Sequence, residues 1–134
     1  MTAPAIETSP IKKMTPERVN EFALTWNTND PDLVASYFTE EGVYCASVGP
    51  DRLGKEFIGR SEVRRGVQAF FERFPGGRFE NIDVTVAENC GYYEWDFVMR
   101  DAHGKAISST AGCDLLVFRG DLLLRKNAFR KIKA

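Results

Sequence analysis

The spacing of apolar residues changes once along this chain, near Arg78, and this change constrains the fold more than any other feature of the sequence. Before Arg78, apolar side chains recur every three or four residues, as they do on one face of an α-helix. After it, apolar and polar side chains alternate, as they do on strands with one buried face. Helices therefore precede a sheet, which predicts an α+β domain with helices packed on one face of a strongly curved, mainly antiparallel sheet.

The segment before Arg78 predicts three helices. Thr15-Pro16-Glu17 combines a capping residue, a proline that suits the first helical position and an early acid, so a helix is expected to begin there. Asp30-Pro31 starts a second helix that ends at Gly42, and Ser61 caps a third. The predicted bounds are 16–28, 30–42 and 61–74 for the helices, with short strands at 43–48 and 57–58.

Four long strands are predicted after Arg78. Turn residues at 89–90, 102–104 and 120–121 divide this part of the chain into segments of alternating pattern. Short turns join antiparallel neighbours, so we expect a meander. The predicted strands are 78–88, 91–100, 106–118 and 122–132.

Composition places the chain among single globular domains. Its 134 residues suffice for one core, and a net charge of −1 provides no general attraction for nucleic acid or an anionic membrane, so neither is an expected partner. We expect a flexible leader at 1–13 and one cytoplasmic domain at 14–134. The spacing of Cys45, Cys90 and Cys113 fits neither zinc nor redox chemistry, and His103 lies in a turn, so no metal or other cofactor is predicted.

The order of elements over residues 15–132 resembles the SnoaL-like, nuclear transport factor 2-like superfamily, which includes ketosteroid isomerase-like proteins. Local features agree with it: Trp26 precedes Asn29-Asp30, a turn follows at 38–43, and Phe57-Ile58-Gly59 precedes the third helix. The resemblance implies a cone whose open end is an apolar pocket for a small, mostly apolar molecule. It also implies a homodimer formed through the outer sheet face, but no particular reaction.

Asp114 is the first candidate for a catalytic residue. It interrupts an otherwise apolar run from Ala111 to Phe118, and an acid in that setting must be paired, hydrogen-bonded or protonated. It also matches the third-strand acid of members that resemble ketosteroid isomerase. The base of those members falls near Ala46 and their tyrosine near Phe22, and neither residue can perform that chemistry.

Two further residue sets of the superfamily are incomplete here. Where members resembling limonene epoxide hydrolase have Arg-x-Asp, this chain has Glu94-Trp95-Asp96, and Asn127 replaces their second acid. Where polyketide cyclase relatives have an Asp near the end of the last strand, it has Phe129-Arg130-Lys131. Two functions stay open: a cofactor-independent acid–base isomerase, cyclase or hydrolase, and a non-catalytic small-ligand-binding or dimeric interaction module.

The turn at Gly120-Asp121 determines which side chains share the face of Asp114. A two-residue turn would place Asp114 opposite Asn127 and Leu116 opposite Arg125, so Asp114, Asn127 and Arg125 would share one face. Asp114 and Asn127 are therefore the predicted catalytic residues. The structural alternative is a hydrogen bond or ion pair across the sheet.

The turn at His103-Gly104 leaves two alternatives for the preceding strand. A turn of two residues would bring Tyr93, Trp95 and Phe97 to the face of Asp114, whereas a turn of three would bring Glu94 and Asp96. The predicted pocket lining is Phe22, Trp26, Tyr44, Trp95, Phe97, Leu116, Arg125 and Phe129.

Overall fold

A computed structural model describes residues 12–133 of the chain. Residues 1–11 of the predicted leader lie outside this range, and Lys12 and Lys13 are exposed and belong to no helix or strand. The helices are α1 (Pro16–Thr25), α2 (Pro31–Ala35) and α3 (Arg60–Arg73). The strands are β1 (Phe38–Cys45), β2 (Glu56–Ile58), β3 (Arg78–Val86), β4 (Cys90–Arg100), β5 (Ala106–Arg119) and β6 (Leu122–Arg130).

Side-chain caps define the starts of the first two helices. The Thr15 hydroxyl accepts a hydrogen bond of 3.1 Å from the Arg18 N–H, and the Asp30 carboxylate caps α2 in the same way. Helix α3 begins differently: its capping position is Gly59, with a φ of 91° and no side-chain cap. The prediction that Ser61 caps this helix is wrong, since Ser61 already lies in its first turn.

The second helix is shorter than predicted. It ends at Ala35, and Phe38, which falls within the predicted helix 30–42, is the first residue of β1. The Leu123 N–H donates a hydrogen bond of 2.8 Å to the Tyr37 carbonyl, which joins this segment to β6. Phe38 is completely buried there, so tertiary packing overrides the helical spacing of the sequence.

The six strands form one curved, unclosed sheet in the order β2-β1-β6-β5-β4-β3. The predicted antiparallel meander from β3 to β6 is confirmed, and β1 adds to it in parallel with β6, so the sheet is mixed. Helix α1 packs on β3, α3 packs on β1 and β2, and α2 packs on α3. Within residues 12–133, no helix is both long and apolar enough to cross a membrane.

The hairpin between β5 and β6 has the predicted two-residue turn but also a bulge. Arg119 lies opposite Leu122, and Gly120 has a φ of 60°, which suits the first central position of such a turn. The pairing then shifts by one residue, leaving Leu124 without a partner in the ladder. Such a bulge moves every later residue of the strand to the opposite face.

The predicted register around Asp114 is therefore wrong by one residue. Asp114 lies opposite Ala128 instead of Asn127. Because side chains alternate along a strand, Lys126 shares the face of Asp114, whereas Arg125 and Asn127 lie on the outer face of the sheet.

The hairpin between β4 and β5 resolves the second alternative. Its loop has three residues, closed by a hydrogen bond of 2.9 Å from the Asp101 N–H to the Lys105 carbonyl. Ile107 then has no partner in the pairing with β4. This extra residue restores the register that a two-residue turn would have given. Tyr93 consequently lies opposite Asp114, and Trp95 and Phe97 share its face.

Candidate functional site

A buried ion pair lies at the centre of the inner sheet face. Lys126 Nζ is 3.0 Å from Asp114 Oδ2, and the two residues are 4% and 2% exposed. In every other salt bridge of the described residues, both side chains are at least 28% exposed. Removing two charges from water is costly, so a pair in this position marks a candidate site.

Aromatic rings surround the ammonium group of Lys126. Nζ lies 4.4 Å from the centre of the Trp26 ring and 4.7 Å from that of Tyr44, within the range of cation–π attraction. Tyr44 is brought there by the parallel pairing of β1 with β6, which places it directly beside Lys126. The Phe57 ring stacks on the far side of Tyr44 at 5.4 Å. Helix α1 and strands β1 and β6 thus hold one cation between them.

Two buried tyrosines adjoin the carboxylate of Asp114. Burial raises the pKa of Tyr93 well above its usual value, and the negative charge of Asp114 raises it further. The pKa of Tyr44 is raised by the same two causes in the same order. Both phenols therefore remain protonated at neutral pH as hydrogen-bond donors, and a hydrogen bond to Asp114 contributes to the raised pKa of Tyr93.

Several buried polar atoms near this centre have no hydrogen-bond partner within residues 12–133. They include Asp114 Oδ1 and the indole nitrogens of Trp26 and Trp95. Both indole rings contact Phe79, at centroid distances of 6.1 and 5.1 Å. Buried polar atoms are almost always paired in folded proteins, so this group is suited to receive polar atoms of a small molecule.

Aromatic side chains also pack against one another in the rest of the cone. The centroids of Phe70, Phe79 and Phe97 are 4.7 to 5.8 Å apart, and Trp26 and Trp95 adjoin this group. The described residues also form hollows elsewhere. One, of about 540 Å³, is lined by residues of α2, β1 and the start of α3, and one of about 180 Å³ lies between the loop at 46–54 and residues 127–130.

The predicted pocket residues separate into two groups. Phe22, Trp26, Tyr44, Trp95 and Leu116 belong to the buried core, and Phe97 packs against it. Arg125 and Phe129 lie on the outer face, where Phe129 is 48% exposed. Asn127 is also on that side and lines the smaller hollow.

Lys126 was not predicted as a site residue. A buried carboxylate needs a partner, and a search of the sequence for that partner could have identified Lys126. Lys126 lies directly between Arg125 and Asn127 in the sequence. The predicted face is therefore wrong because of the one extra residue in the bulge at Leu124.

The described residues contain no group of three or more His, Cys, Asp or Glu side chains that could hold a metal ion. The cysteines are dispersed, with Cys45 buried and Cys90 exposed. Burial raises the pKa of Cys45 and of Cys113, so both remain thiols rather than thiolate nucleophiles.

A helical layer over an open curved sheet, with its polar centre on the inner face, defines a cone of the nuclear transport factor 2 type. The model of the SnoaL-like domain matches residues 19–126, and the chain belongs to this family. The resemblance predicted from the sequence is thereby confirmed. Comparison with curated proteins gives no significant match.

Solved structures share the fold at low sequence identity. An NTF2-like protein of unknown function from Mesorhizobium loti is 23% identical, with a TM-score of 0.68 over 87% of this chain and 89% of that one. A hypothetical protein with a ketosteroid isomerase-like fold from Catenulispora acidiphila, solved with trimethylamine, is 19% identical, with a TM-score of 0.65 over 87% and 86%. A phenazine biosynthesis-related protein from Pseudomonas aeruginosa is 15% identical, with a TM-score of 0.63 over 87% and 80%.

Proposed function

We propose that the protein binds a small, mostly apolar molecule in the cone and transforms it by acid–base chemistry at Asp114, without a cofactor, as an isomerase, cyclase or hydrolase. The observation that carries the proposal is the asymmetry of the Asp114 carboxylate. Oδ2 is fixed by Lys126, and Oδ1 has no partner among the described residues. A buried carboxylate with one anchored and one free oxygen is suited to accept a proton from a substrate.

The neighbouring groups support such a reaction. The protonated phenols of Tyr44 and Tyr93 can donate hydrogen bonds to a substrate oxygen, and the charge of Lys126 favours negative charge that develops nearby. The aromatic rings around them suit an apolar substrate body. Asn127, on the outer face, has no role in this proposal.

Substitution of Asp114 tests the proposal. A thermal-shift screen of small ketones, terpenoids and polyketide-like acids first identifies ligands, because a bound ligand raises the melting temperature. Asp114→Asn should then abolish turnover of any converted ligand, whereas Asp83→Asn, on an exposed position of β3, should leave turnover unchanged. Full activity of Asp114→Asn would refute the role of this carboxylate.

A non-catalytic binding module is the second candidate. The observation in its favour is that Ala46 and Phe22, which cannot act as a base or a hydrogen-bond donor, stand where ketosteroid isomerase-like members carry their base and tyrosine. A ligand that raises the melting temperature but is recovered unchanged after long incubation would favour this function.

We further propose a homodimer formed through the outer sheet face. Tyr92 and Leu115 lie opposite each other there, and Val117 and Phe129 extend the same surface. These four residues are 37 to 48% exposed. Adjacent exposed apolar side chains on a sheet are typical of an interaction surface.

A further inference from the structure

We propose that Lys126 is a nucleophile that forms an iminium with aldehyde or ketone substrates. The inference rests on the proposed small-molecule site and names its substrate class as carbonyl compounds. It is carried by the placement of a primary amine at the centre of that site, 3.0 Å from a carboxylate and between two aromatic rings. Lysines that react with carbonyl groups are desolvated by burial, and Lys126 is 4% exposed.

The surroundings of Lys126 distinguish it from the other lysines. The chain has six more, and all of them are exposed. Lys55 is the most informative comparison, because its Nζ lies 5.3 Å from the centre of the Phe57 ring and yet remains in solvent. It has an aromatic neighbour but neither burial nor a paired carboxylate. If aromatic contact alone produced reactivity, Lys55 would share it.

Asp114 can supply the neutral amine that the reaction needs. An ammonium has no lone pair for attack on carbon, so its proton must first leave. Lys126 Nζ is close enough to Asp114 Oδ2 for direct transfer, which converts an ion pair into a neutral amine and a neutral acid. No net charge enters or leaves the interior, so the transfer avoids the cost of burying a single charge.

The chemical steps balance within this pair. The Lys126 nitrogen forms a bond to the carbonyl carbon, and the carbonyl oxygen becomes the hydroxyl of a carbinolamine after proton transfer from nitrogen. The C–O bond then breaks, and the oxygen leaves as water with the proton that Asp114 holds. The products are one water, an iminium on Lys126 and the carboxylate of Asp114.

The same groups stabilise the product. The iminium is a cation at the position of the former ammonium, so it keeps the contact with the Trp26 and Tyr44 rings and the attraction of Asp114. The electron-poor iminium also acidifies the neighbouring C–H. Asp114 can remove that proton to give an enamine, and this step connects Lys126 to the acid–base role proposed for the carboxylate.

Reductive trapping on the wild-type chain tests the inference. The protein is incubated with benzaldehyde or cyclohexanone and sodium cyanoborohydride at pH 7.4, where an ordinary exposed lysine is neutral in about one molecule in a thousand. Peptide mapping by mass spectrometry should show an adduct on Lys126, formed at least about tenfold faster than on Lys55. Preferential labelling of Lys55 and the other exposed lysines, with Lys126 unmodified, would overturn it.

A variant and a binding measurement complete the test. Lys126→Arg keeps a cation beside Asp114 but cannot form an imine, so it should lose the rapid adduct and retain the slow labelling of Lys55. If this variant fails to fold, the wild-type peptide map decides alone. Carbonyl ligands that raise the melting temperature and undergo Asp114-dependent turnover, with no adduct on Lys126, refute the inference and leave the proposed function intact. Failure of both binding and labelling refutes both.

Discussion

Lys126 Nζ and Asp114 Oδ2 lie 3.0 Å apart, and the Lys126 ammonium is also held by the rings of Trp26 and Tyr44. Each charge therefore depends on the other, because neither side chain has access to water that could replace its partner. This mutual dependence has measurable consequences for stability.

Removal of one partner should be more harmful than removal of both. Lys126→Met leaves a buried carboxylate unpaired and should lower the free energy of unfolding by about 3–5 kcal/mol, measured by urea denaturation. The double variant Lys126→Met, Asp114→Leu should come within about 1 kcal/mol of the wild type. Arg64→Met, which breaks the exposed pair with Asp32, is the control and should cost at most about 1 kcal/mol. Equal losses in the single and double variants would contradict a coupled pair.

The buried phenols should make the fold sensitive to alkaline pH. The pKa of Tyr93 in the folded state is raised by burial and by Asp114, so the folded state holds its proton at pH values where the unfolded chain releases it. Stability from this group is fully present below about pH 10, the ordinary pKa of tyrosine, and is lost as the pH rises above it. The melting temperature should fall from about pH 10 upward, and less steeply in Tyr93→Phe. Identical slopes for the two proteins would count against this cause.

The Phe57 ring is held against Tyr44 by a glycine of helix α3. A methyl group added to Gly66 would lie 2.7 Å from the Phe57 ring, which cannot withdraw because it stacks on Tyr44. We expect Gly66→Ala to destabilise the protein by about 1 kcal/mol, because the clash outweighs the gain in helix propensity. In a Phe57→Leu background the same substitution should stabilise it, measured by thermal and urea unfolding. Destabilisation of the same size in both backgrounds would exclude this clash.

The outer sheet face should mediate self-association. Leu115→Asp introduces a charge at the centre of the apolar surface, opposite Tyr92, and should shift the protein from dimer to monomer in sedimentation velocity. Ile58→Lys is the matched control, since Ile58 is 64% exposed but lies in the edge strand β2 and should leave the dimer intact. A wild-type monomer at micromolar concentration would reject the proposed dimer.

The sequence predicted the arrangement of elements better than their register. Caps at Thr15 and Asp30 have a local physical basis, and both are confirmed. The second helix was overextended because the burial of Phe38 depends on its contact with β6, which no local pattern encodes. Asp114 was recognised as an exception within an apolar strand, and its burial agrees with that interpretation.

The partner of Asp114 could not be predicted for a specific reason. The bulge at Leu124 lies in the run Leu122-Leu123-Leu124, where no polar residue alternates with an apolar one to fix the register. No local pattern of the sequence predicts the extra residue at Ile107 either. Both cases depend on which backbone groups pair across the hairpin, and that is decided by the whole sheet.

The extra residues at Ile107 and Leu124 determine which side chains of the two hairpins face the interior. Insertion or deletion of a single residue near Leu124 would move Lys126 to the outside and bring Arg125 and Asn127 inside, without any substitution. Related chains with nearly the same residues could thus carry different interior chemistry, and a comparison that matches residues by number alone would miss the change. In homologues of this fold, one should first establish whether each hairpin contains an odd or an even number of extra residues. Only then can residues be matched by their place in the sequence.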